Sequence, residues 1–279
     1  MVPWKIPPGI ITWTIALLVT DLLAYWHHRL SHEVNFLWAA HIVHHQSEEL
    51  NVTTVFRVSF VAVINRALFF VLMPIVGFDP LTIASTAMVL GIYQFFTHFR
   101  FIGKLGFLES FMTTPSHHRV HHSRDEKYLD KNYAHIFIFW DHLFGTFKAE
   151  EEEPNYGITS GFESSNAFVA QFSYWKNLFT RAYRTKGIKN KLSVFFKGPE
   201  FTPEDTEHLP SEYKTDANGK RIQYRQLFSI EKSAYILVSV LTTFSLFLLI
   251  WHSIDYCDSL GICEFIYETV AICTEFYNN

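Results

Sequence analysis

FVAVINRALFFVLMPIVGFDPLTIASTAMVLGIYQFF, residues 60–96, decides the fold. Two apolar runs, 60–78 and 81–96, meet at the helix-breaking Gly77-Phe78-Asp79-Pro80. A bilayer core of about 30 Å is crossed by about 20 apolar residues in helical form, so the pair reads as a membrane hairpin that leaves and returns through one face. Residues 27–55 before it and 97–230 after it are therefore expected on the same side. Asn65 and Arg66 interrupt the first run. An arginine there either snorkels to the interface, the commoner outcome, or faces a polar interior.

Working outward, residues 10–26 are apolar except for Asp21 and a few threonines. Residues 235–254 contain a long uncharged run, and residues 262–276 a weaker one interrupted by Glu264 and Glu268. Aromatics at 17% and charges at 18% are too apolar a mixture for an ordinary soluble enzyme, yet a polar block separates the runs. That block holds 19 of the 23 Lys and Arg, between Arg100 and Lys232, which the positive-inside tendency assigns to the cytosol. A net charge of −4 gives no reason to expect nucleic acid as a partner. No small-residue cleavage site follows the N-terminal prolines, so residues 10–26 read as a retained helix. Residues 150–153, four glutamates, read as a solvated loop. Cys257, Cys263 and Cys273 lie far from every histidine cluster and form neither a zinc ribbon nor a disulfide framework; a Cys257–Cys263 bridge would need an oxidising compartment.

Thirteen of the 15 histidines fall between His27 and His142. Neutral imidazole is the commonest nitrogen ligand for transition metals. His28 and His32 form HxxxH; His41, His44 and His45 form HxxHH; His118, His121 and His122 repeat it; His98 stands alone at the end of an apolar run. Residues three and four apart share a helical face, so each motif gathers imidazoles. Nine exceed the four that one tetrahedral zinc takes and suit two metals. His27 and His117 point off the shared faces and read as supporting or surface residues, His135 and His142 as lesser ligand candidates, and His208 and His252 as incidental. Ligated imidazoles usually donate their second N–H to a carboxylate or carbonyl, and Asp21, Asp130, Asn132 and Asp141 are candidates for that support. The expectation is an all-α integral membrane protein, with about four to five membrane helices and a cytosolic helical cap around a histidine-rich di-metal site. Residues 1–210 would form the catalytic part, and 211–279 a polar linker with C-terminal hydrophobic segments.

The order HxxxH, HxxHH, single His, HxxHH resembles the fatty acid hydroxylase/sterol desaturase superfamily. The likeness runs from about residue 10 to 205. It is carried also by Tyr25-Trp26-His27-His28-Arg29, Thr114-Pro115-Ser116-His117-His118, Asp130-Lys131-Asn132-Tyr133-Ala134, Trp140-Asp141-His142-Leu143-Phe144-Gly145 and Phe196-Lys197-Gly198-Pro199, and is greatest to the branch that oxygenates alkylglycerols. The resemblance implies two iron ions, a lipid substrate and O2, and an external donor: a tetrahydropterin such as tetrahydrobiopterin, or a separate redox partner. In that branch the attacked carbon is the one beside the glyceryl ether oxygen. The resemblance also implies a site on the cytosolic face of the endoplasmic reticulum in a eukaryote, or of the inner membrane in a bacterium. The sequon at Asn51 would then be unmodified. Two departures are visible: the family enzyme is longer at both ends, and His27 and His142 stand where an aromatic and a basic residue are expected. Sterol or fatty-acyl hydroxylation or desaturation, and a non-catalytic membrane metal-binding role, are the alternative readings.

Overall fold

The structure, a computed structural model, describes residues 6–164 and 166–203. The segments 235–254 and 262–276, the three cysteines, His208, His252 and the division at residue 210 lie outside the described residues. Nine helices run along the described chain: α1 (Ile10–Glu33), α2 (Asn35–His45), α3 (Phe60–Phe70), α4 (Leu72–Val76), α5 (Pro80–Thr97), α6 (Pro115–His121), α7 (Phe139–Phe144), α8 (Ala167–Arg184) and α9 (Ile188–Phe196). There is no strand among the described residues; one isolated bridge pairs Ser123 with Tyr156.

Helices α1 and α5 are long and apolar enough to cross a membrane, and α3–α4 form a shorter apolar stretch, Phe60–Val76. Of the expected four to five spans, two thus qualify among the described residues. Only 33% and 22% of the apolar windows of α1 and α5 are buried within the fold. A soluble core helix would be buried over most of its length, whereas here Ile10, Ile15, Val63, Ile64, Leu68 and Ile92 face outward. The outward face suits lipid.

The hairpin is built as its sequence demands. The apolar run 60–78 is not one helix: α3 ends at Phe70, where Pro74 removes an N–H and crowds the carbonyl four residues back. Gly77 then adopts φ 109°, and the amides of Gly77 and Phe78 fold back onto Pro74 and Met73, the Schellman arrangement that favours glycine. Asp79 caps α5 through the amides of Leu81 and Thr82, with Pro80 in the first helical turn.

Helix α1 packs along α2, α3 and α5. Its inner face, with Ala16, Thr20, Ala24, His28 and Ser31, is small and polar enough to admit close neighbours; Thr20 bonds Thr86 of α5 at 3.0 Å. Helices α8 and α9 cap α2: Ala39 packs with Leu178, Ala182 and Val194, and the buried Asn35 amide donates to the Val194 carbonyl at 2.9 Å. The segment between α6 and α8 closes the remaining side.

Glu150 departs from the expected solvated acidic loop. Its carboxylate takes two hydrogen bonds of 2.7 Å from Arg119 in α6, and both residues are buried. The Arg119 guanidinium also donates to the Ile102 carbonyl at 2.6 Å. Residues 151–153 do remain outside, pairing with Lys127, Lys148 and Arg100. Burial of one glutamate in four follows from an arginine inside the histidine motif that must be neutralised.

Candidate metal centre

Helical geometry sorts the histidines into two groups. His28, His32, His41, His45 and His121 bring ligand atoms within 4.8 Å of one another, and His44, His98, His118 and His122 do the same. An α-helix turns about 100° per residue, so positions i and i+4 nearly coincide while i+3 diverges by about 100° from i+4. Hence His28 with His32, His41 with His45, and His118 with His122 each serve one group. His44 and His121, the i+3 members of the two HxxHH motifs, each cross to the other group. The motifs therefore interlock, and His45 and His122 stack at 4.4 Å between ring centroids. All nine histidines expected as ligands fall in these groups.

The ring nitrogens face one another closely. Nε2–Nε2 separations are 3.0 Å for His98–His118 and His118–His122, 3.3 Å for His44–His98, 3.1 Å for His41–His45 and 3.2 Å for His45–His121. With metal–nitrogen bonds of about 2.0–2.1 Å, neighbouring ligands of a tetrahedral or octahedral ion lie about 2.9–3.4 Å apart. Tautomers sharpen the point. Nδ1 of His28, His44, His98 and His121 lies 2.8, 3.1, 2.6 and 3.0 Å from the carbonyls of Tyr133, Thr54, Gln94 and Lys131. A carbonyl only accepts, so each Nδ1 carries the proton and each Nε2 presents a lone pair. His44 and His98 thus aim two lone pairs at each other across 3.3 Å, an arrangement that a shared cation stabilises. Nε2 of His28 and His32 is buried without a hydrogen-bond partner. Burial, reinforced by neighbouring imidazoles, pushes His41, His45, His118 and His122 well below the ordinary histidine value, keeping them in the neutral form that ligates. The donor set fits two metal ions.

The supporting carboxylates act differently from expectation. Asp130 is the one near an imidazole, 3.8 Å from His32 Nδ1. Asp141 instead accepts the amides of Tyr133 and Ala134 at 2.8 and 2.9 Å and the Thr146 hydroxyl at 2.7 Å. Asp21 accepts the amides of Ile136 and Phe137 and the Trp140 indole N–H at 2.9, 3.1 and 3.0 Å. Asn132 donates to the His117 and Lys148 carbonyls and accepts the Lys148 amide. These three grip the backbone of residues 130–137, whose Lys131 and Tyr133 carbonyls orient His121 and His28. The grip holds Asp130 and Asn132 at φ 57° and 56°, left-handed values that cost a non-glycine residue about 1–2 kcal/mol. No sequence signal distinguishes carbonyls that will meet the grouped imidazoles; Arg119, between histidines in His118-Arg119-Val120-His121, was the available sign of a buried acid.

The other histidines separate cleanly. His142 is exposed and stacks on Phe147 at 3.9 Å, outside both groups. His117 is buried, and its Nδ1 accepts the Thr114 amide at the start of α6, so it is neither a surface residue nor a ligand. His27 and His135 are buried near the groups but outside them.

Two of the cavities that border the centre reach several of its histidines. One of about 210 Å³ is walled by α1, α3 and α5 and reaches His28 and His41 of one group and His44, His98 and His118 of the other. The second, of about 470 Å³, lies beneath α8 and meets the five-histidine group at His32, His45 and His121; its polar wall includes Asp130, Asn177, Arg181 and Glu200.

Residues 13–146 match the fatty acid hydroxylase family. The chain is 37% identical to the human alkylglycerol monooxygenase over 263 residues, covering 94% of this chain and 57% of that protein. It is 41% identical to the zebrafish (Danio rerio) alkylglycerol monooxygenase over 193 residues, 69% of this chain and 43% of that one. A more distant relative, the ornithine lipid hydroxylase of Rhizobium tropici, is 27% identical over 57% of this chain and 48% of its own length. The chain thus spans about half the length of the curated relatives it matches. No solved structure matches it.

Proposed function

We propose that this chain, which carries a fatty acid hydroxylase domain over residues 13–146 and is similar to alkylglycerol monooxygenases, is a membrane-bound di-iron oxygenase that hydroxylates a C–H bond of a lipid. The observation that carries the reading is the pair of interlocked imidazole groups with opposed Nε2 lone pairs, beside a cavity walled by apolar helices. Ligation by the nine histidines His28, His32, His41, His44, His45, His98, His118, His121 and His122 is part of that proposal. Bound iron supplies the activation of O2 and the removal of hydrogen from an unactivated carbon.

The chain's own residues do the rest. Helices α1, α3 and α5 offer an apolar outer surface to lipid and admit a tail to the cavity of about 210 Å³. The opposite, polar cavity against His32, His45 and His121 is the route for a water-soluble two-electron donor such as a tetrahydropterin. One atom of O2 enters the C–H bond and the other leaves as water with the donor's two electrons. On an alkylglycerol the attacked carbon is the one beside the ether oxygen, and the resulting hemiacetal parts into an aldehyde and glycerol. The basic residues around α8 and α9 support a cytosolic side for this cap.

The test is product analysis with the full chain, iron-loaded in detergent, given O2, tetrahydropterin and 1-O-hexadecylglycerol. Hexadecanal and glycerol in equal amounts support the ether reading. No aldehyde there, with hydroxylated product in parallel reactions offered a sterol or an acyl lipid, redirects the substrate within the same chemistry, which the ornithine lipid hydroxylase relative keeps in view.

A further inference from the structure

The cavity between α1, α3 and α5 has polar furniture that the ligand groups do not use. His27 and His135, both more than nine-tenths buried, line it, and His27 Nε2 and His135 Nδ1 have no hydrogen-bond partner. Asn65, also buried, and Arg66 line it from α3. Among the described residues Arg66 has neither an ion pair nor a hydrogen bond, although it lies within an apolar helix and is accessible from outside. Arg57 is a second guanidinium on the wall, occupied in part by the Val43 carbonyl. None of the lining residues is a carboxylate. A membrane-embedded charge is costly and usually marks a partner or a pathway. Buried imidazole nitrogens without partners are similarly costly.

We propose that Arg66, with His27, Asn65 and His135, forms a headgroup subsite for a lipid bearing an anionic oxygen group, phosphate or carboxylate, and thereby fixes which carbon stands beside the two histidine groups. The proposal rests on the lipid-oxygenase reading, though not on the choice of an ether. Charge and geometry agree. Two guanidiniums without an acid make the cavity electropositive, and a guanidinium matches the planar oxygen pairs of phosphate and carboxylate. His135 adds an unpartnered Nδ1 to the same cavity wall, a hydrogen-bonding group beside the Arg66 charge. About 210 Å³ holds a small head and the first few carbons of a tail, not a whole lipid. With the head held at Arg66, the carbons near the head meet His28, His41, His44 and His98, and the remaining tail leaves between the helices.

The experiment measures retention of three single-chain lipids by the iron-loaded full chain in neutral detergent: 1-O-hexadecylglycerol 3-phosphate, palmitate and uncharged 1-O-hexadecylglycerol. The subsite predicts that one charged lipid binds at least about tenfold more tightly than the neutral one; which of the two does so identifies the anion. Arg66→Gln should abolish that preference while leaving metal content and neutral-lipid binding unchanged, and Arg66→Lys should keep part of it. Unchanged metal content guards against a misfolded variant. Equal binding of all three lipids, or a preference that survives Arg66→Gln, overturns the subsite and leaves Arg66 as a snorkelling residue. Retention of no lipid at all overturns the lipid reading beneath it as well.

Discussion

Replacing Asp141 by Asn should loosen His28, a histidine that Asp141 never touches. The carboxylate is fully buried and receives three donors: the Tyr133 and Ala134 amides and the Thr146 hydroxyl. Burial pushes its pKa up, but three converging donors require an acceptor, so it acts as a carboxylate. In Asn one oxygen becomes an NH2 and confronts an N–H. Hydrogen bonds to a charged group contribute about 1.5–3 kcal/mol, and a buried unsatisfied donor costs about 1–3 kcal/mol, so the change should destabilise the fold by roughly 2–5 kcal/mol. The Tyr133 carbonyl, which receives the His28 Nδ1–H at 2.8 Å, moves with its peptide. Loss of such an outer contact lowers metal affinity about 10–100-fold. The assay is competition of the purified full chain against a graded chelator, read as metal retained per chain, alongside thermal unfolding in detergent. Retention and unfolding midpoint equal to the parent protein would refute the idea that residues 130–137 are gripped from Asp141.

Further expectations follow from the same geometry. Glu150→Ala strands the Arg119 charge in the interior and should cost about 3–5 kcal/mol, seen as a sharply lowered unfolding midpoint, whereas Glu152→Ala at the surface should leave that midpoint in place. His98→Ala removes one of four imidazoles in its group and should halve the metal bound per chain, while Asp130→Asn should change it little. The metal-free protein should be acid-sensitive: His41, His45, His118 and His122 sit well below 6.5 when folded. A depressed folded value means stability is present above the unfolded value near 6.5 and is lost as pH falls below it. The expected result is an unfolding midpoint that falls between pH 7 and 5.

The site was more legible in the sequence than the fold. Histidines repel few explanations when they recur at three and four residues, and the hairpin of 60–96 required distant motifs to share a face. What the spacing did not say was that His44 and His121 leave their own motifs for the opposite group. That division is latent in the 100° helical step, but it becomes visible only once α2 and α6 stand face to face. The long apolar run 60–78 concealed a break because Pro74 acts on a carbonyl four residues earlier, within a stretch uniform in hydropathy. Asp21 was recognised by its cost in an apolar run and Asp141 by its place after the last histidine motif, yet their targets, the amides of Tyr133, Ala134, Ile136 and Phe137, are backbone groups that every sequence possesses. Glu150 was hidden by its three solvated neighbours, since composition cannot tell which member of an acidic run meets the buried Arg119.

If the nine histidines hold two iron ions, they do so through ring nitrogen. Iron-edge X-ray absorption on the anaerobically loaded full chain, with iron counted per chain, tests it most directly. Two irons per chain are expected, in an all nitrogen-and-oxygen shell at about 2.1 Å, with the outer-shell scattering of several imidazoles. Fewer than one iron per chain, or a shell without imidazole scattering, would contradict it.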